Sequence, residues 1–280
     1  MRAVEIRGAF GLPNLVLVER PDLQPGPGSV LLRMRAASLN YRDLLTVLGH
    51  YNPKQRLPLI PCSDGVGEVV EVGEGVTRVK PGDRVCPIFS QGWIAGAPSR
   101  DKARANLGGP LDGALAEQMV VSQEGLVKVP AHLTDEEAAS LPCAAVTAWN
   151  ALNAAGIAGI KAGDTVLVQG TGGVSLFALQ FAKLLGARVI ATSSRDEKLE
   201  RAREMGASDG VNYKDTPEWG ARVKELTNGE GVDLVVEVGG AGTLEQSIRA
   251  VRFGGTITLI GNLAGLDAQL KLSLVFMQRI

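Results

Sequence analysis

The segment Val166-Leu-Val-Gln-Gly-Thr-Gly-Gly-Val-Ser175 decides the fold, because an apolar strand leads into a glycine turn and then directly into a helix. The helix is predicted over 174–185, where apolar residues recur at helical spacing until Gly186 ends the pattern. Glycines in such a turn let the backbone approach a pyrophosphate, whose charge is stabilised at the helix N-terminus. The segment therefore predicts a phosphate site at the end of a strand.

The glycine pattern G-x-G-x-x-G is incomplete here, because Ser175 occupies its third position. That position mainly governs close packing of helix on strand, so a small serine is compatible with it. A tight turn that holds no ligand is the alternative. The predicted phosphate-binding residues are Gly170, Thr171, Gly172, Gly173 and Val174.

The second half of the chain alternates short apolar runs with helical patterns. Strands are predicted at 165–169, 188–192, 210–213, 233–238 and 256–261. A second amphipathic helix is predicted at 196–205, before Gly206. This alternation predicts an α/β fold in which helices cover both faces of a doubly wound parallel sheet.

The first half is rich in short β-branched or alternating runs, at 16–18, 30–34, 67–72 and 114–121, separated by Pro-Gly turns. Regularly spaced strands of this kind predict a small β-barrel. Residues 91–113 are predicted to form a long surface loop. Thr134 and Glu137 form a capping-box pattern that predicts a helix start, and the domain boundary is predicted near Val129-Pro130.

The end of the second predicted strand bears on the choice of dinucleotide. An acidic residue at that place holds the ribose hydroxyls of NAD, whereas this chain has Ser193 and Ser194 there, followed by Arg195 and Lys198. Small hydroxyl groups followed by cations suit the 2′-phosphate of NADP(H), which an acidic side chain would repel. The alternative is that Arg195 and Lys198 belong only to the solvated face of a helix.

Composition excludes several classes of partner. The net charge of −1, from 29 basic and 30 acidic residues, predicts neither nucleic acid nor an anionic membrane as a partner. No apolar stretch is long enough to span a bilayer, and the N-terminus does not resemble a signal peptide. The 3 cysteines lie far apart, so no disulfide framework is predicted. We expect a cytoplasmic protein whose partner is a small-molecule substrate.

Three motifs of the first half join the glycine turn in a family resemblance. The runs Cys62-Ser-Asp-Gly-Val-Gly67, Val69-Val-Glu-Val-Gly73 and Lys80-Pro-Gly-Asp-Arg-Val85 resemble the medium-chain dehydrogenase/reductase superfamily. The branch that the chain most resembles contains zinc-independent quinone oxidoreductases and proteins related to alcohol dehydrogenases. The resemblance implies a GroES-like β-barrel catalytic domain at 1–129 and a Rossmann domain that binds NADP(H) at 130–280.

The resemblance also bears on a metal site. Zinc-dependent relatives have a Cys where this chain has Asn40 and a His-Glu pair where it has Ser63-Asp64, so that only Cys143 remains at a ligand position. Residues 91–113 contain none of the cysteines that a structural zinc lobe needs. Since catalytic zinc requires three protein ligands, no zinc site is predicted.

Without a Lewis acid, the predicted reaction is reduction of a quinone or an activated carbonyl or enone by NADPH, because hydride addition needs only positioning and hydrogen bonds to the developing oxyanion. An alcohol dehydrogenase or ketone reductase is one alternative, and a protein that binds the cofactor without turnover is another. The resemblance implies that Asn40, Asp43 and Tyr51 line the substrate side, where a tyrosine hydroxyl or a water donates the proton. The alternative for Asn40 and Asp43 is a structural hydrogen bond within a turn.

On the cofactor side, the resemblance places Thr147 near the nicotinamide and Tyr213 near the adenosine phosphate. It also places cofactor contacts at Val238, Gly239, Gly261 and Asn262, which agrees with the rule that ligands of open α/β sheets lie at the carboxyl ends of the strands. Five parallel strands are predicted before Ile280, whereas relatives continue with a sixth strand and a return to the first domain. We therefore expect a C-terminally truncated form, and a homodimer where the C-terminal part is present.

Overall fold

The computed structural model describes residues 1–153 and 159–280, which belong to two units, Met1–Cys143 and Ala144–Ile280. The first unit is mainly β and the second is α/β, as predicted. None of the helices in the described residues has the length and apolar character that a membrane crossing requires.

The first unit contains seven strands and two α-helices. The strands are β1 (Arg2–Ile6), β2 (Leu15–Glu19), β3 (Ser29–Ser38), β4 (Asp64–Val72), β5 (Arg84–Pro87), β6 (Gln118–Ser122) and β7 (Leu126–Lys128). Strands β3 to β7 form one antiparallel sheet in the order β6-β3-β4-β5-β7, and β1 pairs separately with β2. Its helices are α1 (Tyr41–Val47) and α2 (Asp135–Ala139). Alternate side chains of β3, β4 and β5 point inward and build the core, as in Leu32, Val69 and Val85.

Helix α2 explains where the first unit ends. The predicted capping box is confirmed, because the Glu137 N–H donates to Thr134 Oγ1 (3.2 Å) and the Thr134 N–H donates to Glu137 Oε2 (2.9 Å). Ala138 and Ala139 are buried in a cluster with side chains of β4 and β5. This packing keeps α2 with the first unit, so that the structure divides after Cys143 rather than near Val129-Pro130.

The second unit is a five-stranded parallel sheet in the order β10-β9-β8-β11-β12. Its elements are α3 (Val146–Asn153), β8 (Thr165–Gln169), α4 (Gly173–Leu184), β9 (Arg188–Ser193), α5 (Asp196–Glu204), β10 (Asp209–Asn212), α6 (Trp219–Leu226), β11 (Val232–Glu237), α7 (Leu244–Ala250), β12 (Val251–Leu259) and α8 (Leu272–Gln278). Numbered along the chain, this is the 3-2-1-4-5 order of a doubly wound sheet, whose direction of winding reverses between β8 and β11.

The two faces of the parallel sheet carry separate cores. On one face, Val166 and Val168 of β8 pack with residues of α3, α4 and α5. On the other face, Leu167 packs with Trp219 and Val223 of α6 and with the end of α7. Successive residues of β8 therefore point to opposite faces, and helices cover both, as the near-continuous apolar strands predict.

Two of the predicted strands begin four or more residues away from the strand that the structure shows. Strand β6 begins at Gln118 instead of residue 114, because the preceding backbone pairs with other segments: the Ala114 N–H donates to the Cys62 carbonyl, and the Glu117 N–H donates to that of Arg2. Strand β12 begins at Val251, five residues earlier than predicted, because its pairing with β11 continues across a register shift.

The long loop and the remaining short helical turns complete the description. Within the predicted loop 91–113, the only regular element is a 3₁₀ turn, and Leu107 is buried although the segment is otherwise largely exposed. The other 3₁₀ turns lie at Leu12–Asn14, Gln123–Gly125 and Gly240–Gly242, and a π-helical turn lies at Leu141–Ala145.

Candidate functional site

The glycine turn after β8 lies at the carboxyl edge of the parallel sheet. Gly170 extends the pairing of β8 with β9, because its N–H donates to the Thr192 carbonyl (2.7 Å). Its φ of +69° then turns the chain, and this is a backbone conformation that favours glycine. The turn leads in two residues to the N-cap of α4, so the sequence prediction of strand, turn and helix is confirmed.

Gly172, the N-cap of α4, has open space where a side chain would be. Its backbone is ordinary, with φ −78° and ψ 172°, and a Cβ built on it would have no heavy atom within 4 Å. Neither strain nor packing within the protein therefore requires a glycine at this position. A ligand that approaches the backbone of the turn does require one.

The first turn of α4 offers unpaired donors to that space. The first N–H groups of a helix have no partner inside it, and here the N-cap has no side chain that could accept from them. No acidic residue lies in the first turn. The positive end of the helix dipole is thus available to an anion such as a pyrophosphate.

Ser175, at the third position of the glycine pattern, has a role that the sequence did not reveal. Its side chain is buried, and its hydroxyl donates to the backbone carbonyl of Gln169 (2.6 Å). A glycine could not make this bond. The serine therefore both permits close packing and ties the first turn of α4 to the last residue of β8.

The ends of β9 and β10 bring together the residues predicted to select the dinucleotide. Ser193 is buried at the end of β9, and its carbonyl accepts from the N–H of Tyr213 (3.0 Å), whose side chain is 41% exposed. Ser194 follows, and Arg195 is the N-cap of α5. Within the described residues, neither Arg195 nor Lys198 forms a salt bridge, so both cations are free for an anionic ligand.

Two acidic residues lie in the same turn of α5, a feature that the sequence prediction did not weigh. Asp196 and Glu197 lie between the two cations in the sequence. Asp196 Oδ1 accepts from the side-chain amide of Asn212 (3.0 Å), which orients that carboxylate toward β10.

The ends of β11 and β12 are joined by backbone hydrogen bonds. The carbonyl of Val238 accepts from the Leu263 N–H (3.3 Å), and the carbonyl of Gly239 accepts from the Ala264 N–H (2.6 Å). Gly261 and Asn262 therefore lie beside Val238 and Gly239, as expected of neighbouring parallel strands. These four predicted cofactor contacts share the carboxyl edge of the sheet with the glycine turn.

Thr147 lies in the first turn of α3 and is half-buried. Three residues before it, Ala144 lies close to the glycine turn, because a Cβ built on Gly173 would be 3.5 Å from that of Ala144. The start of this helical segment is thus next to the turn, while the contact predicted between Thr147 and a nicotinamide stays a prediction.

In the first unit, Asn40 and Asp43 form the start of α1. Asn40 is the N-cap, and its N–H donates to Asp43 Oδ2 (2.8 Å). Asp43 Oδ1 accepts from the Ser63 N–H (3.3 Å), and the Asp43 side chain is buried. Burial raises the pKa of Asp43 above its ordinary value, although both hydrogen bonds and the charge of Arg42 oppose the rise. The carboxylate of Asp43 is thus engaged with the backbone on both oxygens.

Tyr51 is 51% exposed and is held by a cation. The guanidinium carbon of Arg42 lies 4.6 Å from the centre of the Tyr51 ring and 4.7 Å from that of Phe89. The same guanidinium donates to the carbonyls of Leu107 (3.1 Å) and Gly109 (2.7 Å). Arg42 therefore contacts both the Tyr51 ring and the long loop, a role that sequence reasoning missed because its loop partners are distant in the chain.

Comparison with known proteins shows which family the chain belongs to. Residues 26–131 match the model of the alcohol dehydrogenase GroES-like domain, and residues 173–280 match the model of the zinc-binding dehydrogenases. A zinc-type alcohol dehydrogenase-like protein of Schizosaccharomyces pombe is 47% identical over 238 residues, which cover 85% of this chain and 69% of that protein. This chain belongs to the medium-chain dehydrogenase/reductase superfamily.

Further relatives within the superfamily carry several activities in their names. An acryloyl-coenzyme A reductase of Metallosphaera sedula is 35% identical over 273 residues, covering 94% of this chain and 77% of the reductase. A mycobacterial protein solved in complex with NADPH has a TM-score of 0.81 and 32% identity, covering 99% of this chain and 78% of that one. Others are named alcohol dehydrogenase or quinone oxidoreductase. The predicted GroES-like and Rossmann domains are confirmed, and the chain is an oxidoreductase that uses NAD(P)H.

Other superfamily members bind a catalytic zinc ion, and the residues of this chain at the corresponding ligand positions show whether it could do the same. Asp64 is fully buried; its Oδ1 accepts from the Ser63 hydroxyl (2.9 Å), and its Oδ2 accepts from the Cys143 N–H (2.8 Å). Burial raises the pKa of Asp64, against those hydrogen bonds. Within the described residues, no three His, Cys, Asp or Glu side chains are grouped to hold a metal. An amide, a hydroxyl and a carboxylate already bonded on both oxygens do not fit catalytic zinc.

Sequence reasoning also missed a buried polar pair at the centre of the carboxyl edge. Gln169 and Glu237 are the last residues of β8 and β11, and each ends an otherwise apolar run. Both side chains are buried. The signal that could have identified them is a polar residue at the end of each of two apolar strands, in the positions nearest the point where the sheet reverses its winding.

Proposed function

We propose that the protein transfers hydride from NADPH to an enone, a quinone or a similarly activated carbonyl compound, without a metal. The observation that carries this proposal is the set of residues at the zinc-ligand positions, where Asn40 and Ser63 replace metal ligands and Asp64 is bonded on both oxygens. Oxidation of a simple alcohol needs help with removal of the hydroxyl proton, which zinc gives in related enzymes. Hydride addition to an activated acceptor needs only positioning and hydrogen bonds.

The balanced reaction with an enone consumes NADPH and one proton. The hydride forms a C–H bond at the β-carbon, the carbon–carbon π electrons move toward the carbonyl oxygen, and a proton is then added at the α-carbon. The products are the saturated ketone and NADP⁺. A relative named acryloyl-coenzyme A reductase supports this choice, because its substrate has a carbon–carbon double bond conjugated to a carbonyl group.

Tyr51 is the residue that we propose to stabilise the developing oxyanion. Its ring is half-exposed and held by Arg42, whereas Asp43 is buried and engaged with backbone donors. A phenol hydroxyl donates a hydrogen bond to an enolate oxygen and can be a route for its proton. Asn40 and Asp43 support this side of the site by fixing the start of α1.

NADP(H) is the proposed cofactor. Arg195 and Lys198, which form no salt bridge within the described residues, support it together with the hydroxyl groups of Ser193 and Ser194, because a 2′-phosphate carries charge that cations stabilise and hydroxyl groups can bond. The pyrophosphate is proposed to lie on the open turn at Gly172. The mycobacterial structure with NADPH also supports this choice.

The test is turnover by protein treated with a chelator and then freed of it. We expect oxidation of NADPH with methyl vinyl ketone or a simple benzoquinone, and no reduction of NADP⁺ by a secondary alcohol. Alcohol oxidation in place of enone reduction would identify an alcohol dehydrogenase. Tight NADPH binding with no turnover of either substrate class would identify a cofactor-binding protein, and both results would contradict the proposal.

A further inference from the structure

Glu237 is a buried carboxylate at the point where the parallel sheet reverses its winding. It is the last residue of β11, and its side chain is 0% exposed. Its hydrogen-bond donors are the N–H groups of Gly239 and Gly240, the hydroxyls of Thr243 and Ser247, and the side-chain amide of Gln169. Within the described residues, no Arg, Lys or His forms a salt bridge with it, so these donors alone compensate its burial.

The side chain of Gln169 both donates to Glu237 and accepts hydrogen bonds from the backbone that follows it. Gln169 is the last residue of β8, the strand that pairs with β11. Its amide nitrogen donates to Glu237 Oε2 (2.7 Å), and its amide oxygen accepts from the N–H groups of Val238 (3.2 Å) and Gly239 (3.3 Å). One pair of side chains thus ties together the ends of the two strands that flank the reversal.

The network also fixes the turn that follows β11. Glu237 Oε1 accepts from the N–H of Gly239 (2.7 Å) and of Gly240 (3.0 Å), and from the Thr243 hydroxyl (2.6 Å). Gly240 has a φ of +80°, and a Cβ there would lie 2.6 Å from the Gly265 carbonyl oxygen. The turn is therefore held by Glu237 from inside the sheet and by residues 263–265 from the other side.

The fold alone gives no reason for a charged group in this place. The three residues before Glu237 are Leu234, Val235 and Val236, all buried, and an apolar residue would continue the strand without a desolvation cost. A fully bonded polar network instead specifies one arrangement of the groups around it. The arrangement specified here is that of the turn at 238–243.

The position of the turn indicates which ligand it serves. A doubly wound sheet binds a dinucleotide across the reversal, with one mononucleotide on each half. Strands β8 to β10 carry the glycine turn and the residues around Ser193, so β11 and β12 are left for the other half. We propose that Glu237 and Gln169 are positioning residues that fix the 238–243 turn for the nicotinamide half of NAD(P)H, an inference that rests on the proposed cofactor site.

The test compares two ligands that differ by the nicotinamide. NADPH and 2′-phospho-ADP-ribose share the adenosine, its 2′-phosphate and the pyrophosphate. In Glu237→Gln, we expect the Kd of NADPH to rise about tenfold or more, the effect of one lost charge-assisted hydrogen bond, while the Kd of 2′-phospho-ADP-ribose changes less than about threefold. The exchanged pair, Gln169→Glu with Glu237→Gln, is expected to bind NADPH within about threefold of the wild type.

The matched control is Asp233, at the opposite end of the same strands. Its carboxylate accepts from the Thr165 N–H (2.7 Å) and from Arg252 (2.7 Å), so it joins the starts of β8, β11 and β12, whereas Glu237 joins the ends of β8 and β11. Asp233→Asn is expected to lower stability without changing the ratio of the two dissociation constants. If Asp233→Asn changes the ratio of the two dissociation constants as much as Glu237→Gln does, both residues act only on the fold. That result would overturn the inference.

Other outcomes of this experiment separate failure of the inference from failure of the proposed cofactor. If Glu237→Gln does not fold, Thr243→Val removes one donor to the same carboxylate and is expected to raise the Kd of NADPH selectively. An equal loss of affinity for both ligands in a folded variant overturns the inference but leaves the proposed cofactor in place. Wild-type protein that binds neither ligand overturns the proposed cofactor, and the inference with it.

Discussion

Gly172→Ala tests whether a ligand occupies the open space at the N-terminus of α4. Since the backbone at Gly172 is ordinary and a built Cβ meets no atom within 4 Å, the folded protein accommodates alanine without strain. Alanine stiffens the unfolded chain, which stabilises by about 0.4–1 kcal/mol, but it is a poorer N-cap than glycine. The free energy of unfolding should therefore change by less than about 1 kcal/mol.

The effect on binding should be much larger. A methyl group on the turn keeps a pyrophosphate from the N–H donors, and each charge-assisted hydrogen bond lost contributes about 1.5–3 kcal/mol. The Kd of NADPH should rise roughly 10- to 150-fold for one such bond. Urea unfolding gives the stability, and a fluorescence titration with NADPH gives the affinity.

Two other glycines make the comparison specific. Gly26 also has open space and no positive φ, but lies in the first unit, so Gly26→Ala should leave the Kd of NADPH unchanged and raise the free energy of unfolding by no more than about 1 kcal/mol. Gly170 has a φ of +69°, and Gly170→Ala should lower stability by about 1–2 kcal/mol as well as weaken binding. Wild-type affinity in Gly172→Ala would refute the placement of the pyrophosphate. A loss of stability as large as that of Gly170→Ala would refute the argument from open space.

Three further outcomes are expected. Tyr51→Phe should lower kcat for enone reduction by about 10²-fold while the Kd of NADPH is unchanged. The control Tyr41→Phe, at the first residue of α1, should leave kcat alone, and equal kcat values for the two variants would contradict the role of Tyr51. Arg195→Ala with Lys198→Ala should weaken NADPH but not NADH in parallel titrations, and an equal loss for both would contradict 2′-phosphate recognition. Burial raises the pKa of Asp64, so the folded protein favours the protonated carboxyl group. The contribution of this preference to the free energy of unfolding is complete at pH values below the ordinary pKa of about 4, and it is lost as pH rises through the raised pKa of the folded state. The free energy of unfolding of the wild type minus that of Asp64→Asn, from urea unfolding at several pH values, should thus fall as pH rises, and a rise would contradict the burial argument.

Local signals in the sequence were sufficient for the fold class of each half and for several of its elements. Strand β8 has the bounds that its apolar run predicts, and the capping box at Thr134 and Glu137 is formed as predicted. The glycine turn and α4 also follow from residues that are neighbours in the chain. These features depend on contacts within a few residues, which a single sequence records directly.

Features that depend on distant pairing could not be predicted in the same way. Gln169 and Glu237 meet only because β8 pairs with β11, and they are separated by 68 positions. Arg42 holds Tyr51 with the help of Phe89 and the carbonyls of the long loop. The end of the first unit depends on the packing of Ala138 and Ala139 on strands β4 and β5. In each case the residue types are visible in the sequence, but the register that brings them together is not.

The most direct test of metal-free hydride transfer uses NADPH in which both hydrogens at C4 of the dihydronicotinamide are replaced by deuterium. The 280-residue chain, stripped of metal by a chelator, is incubated with this cofactor and methyl vinyl ketone, and the product is examined by mass spectrometry. We expect butanone that carries deuterium on the former β-carbon. Product that lacks deuterium, or deuterium transfer that begins only when zinc is restored, would contradict the mechanism.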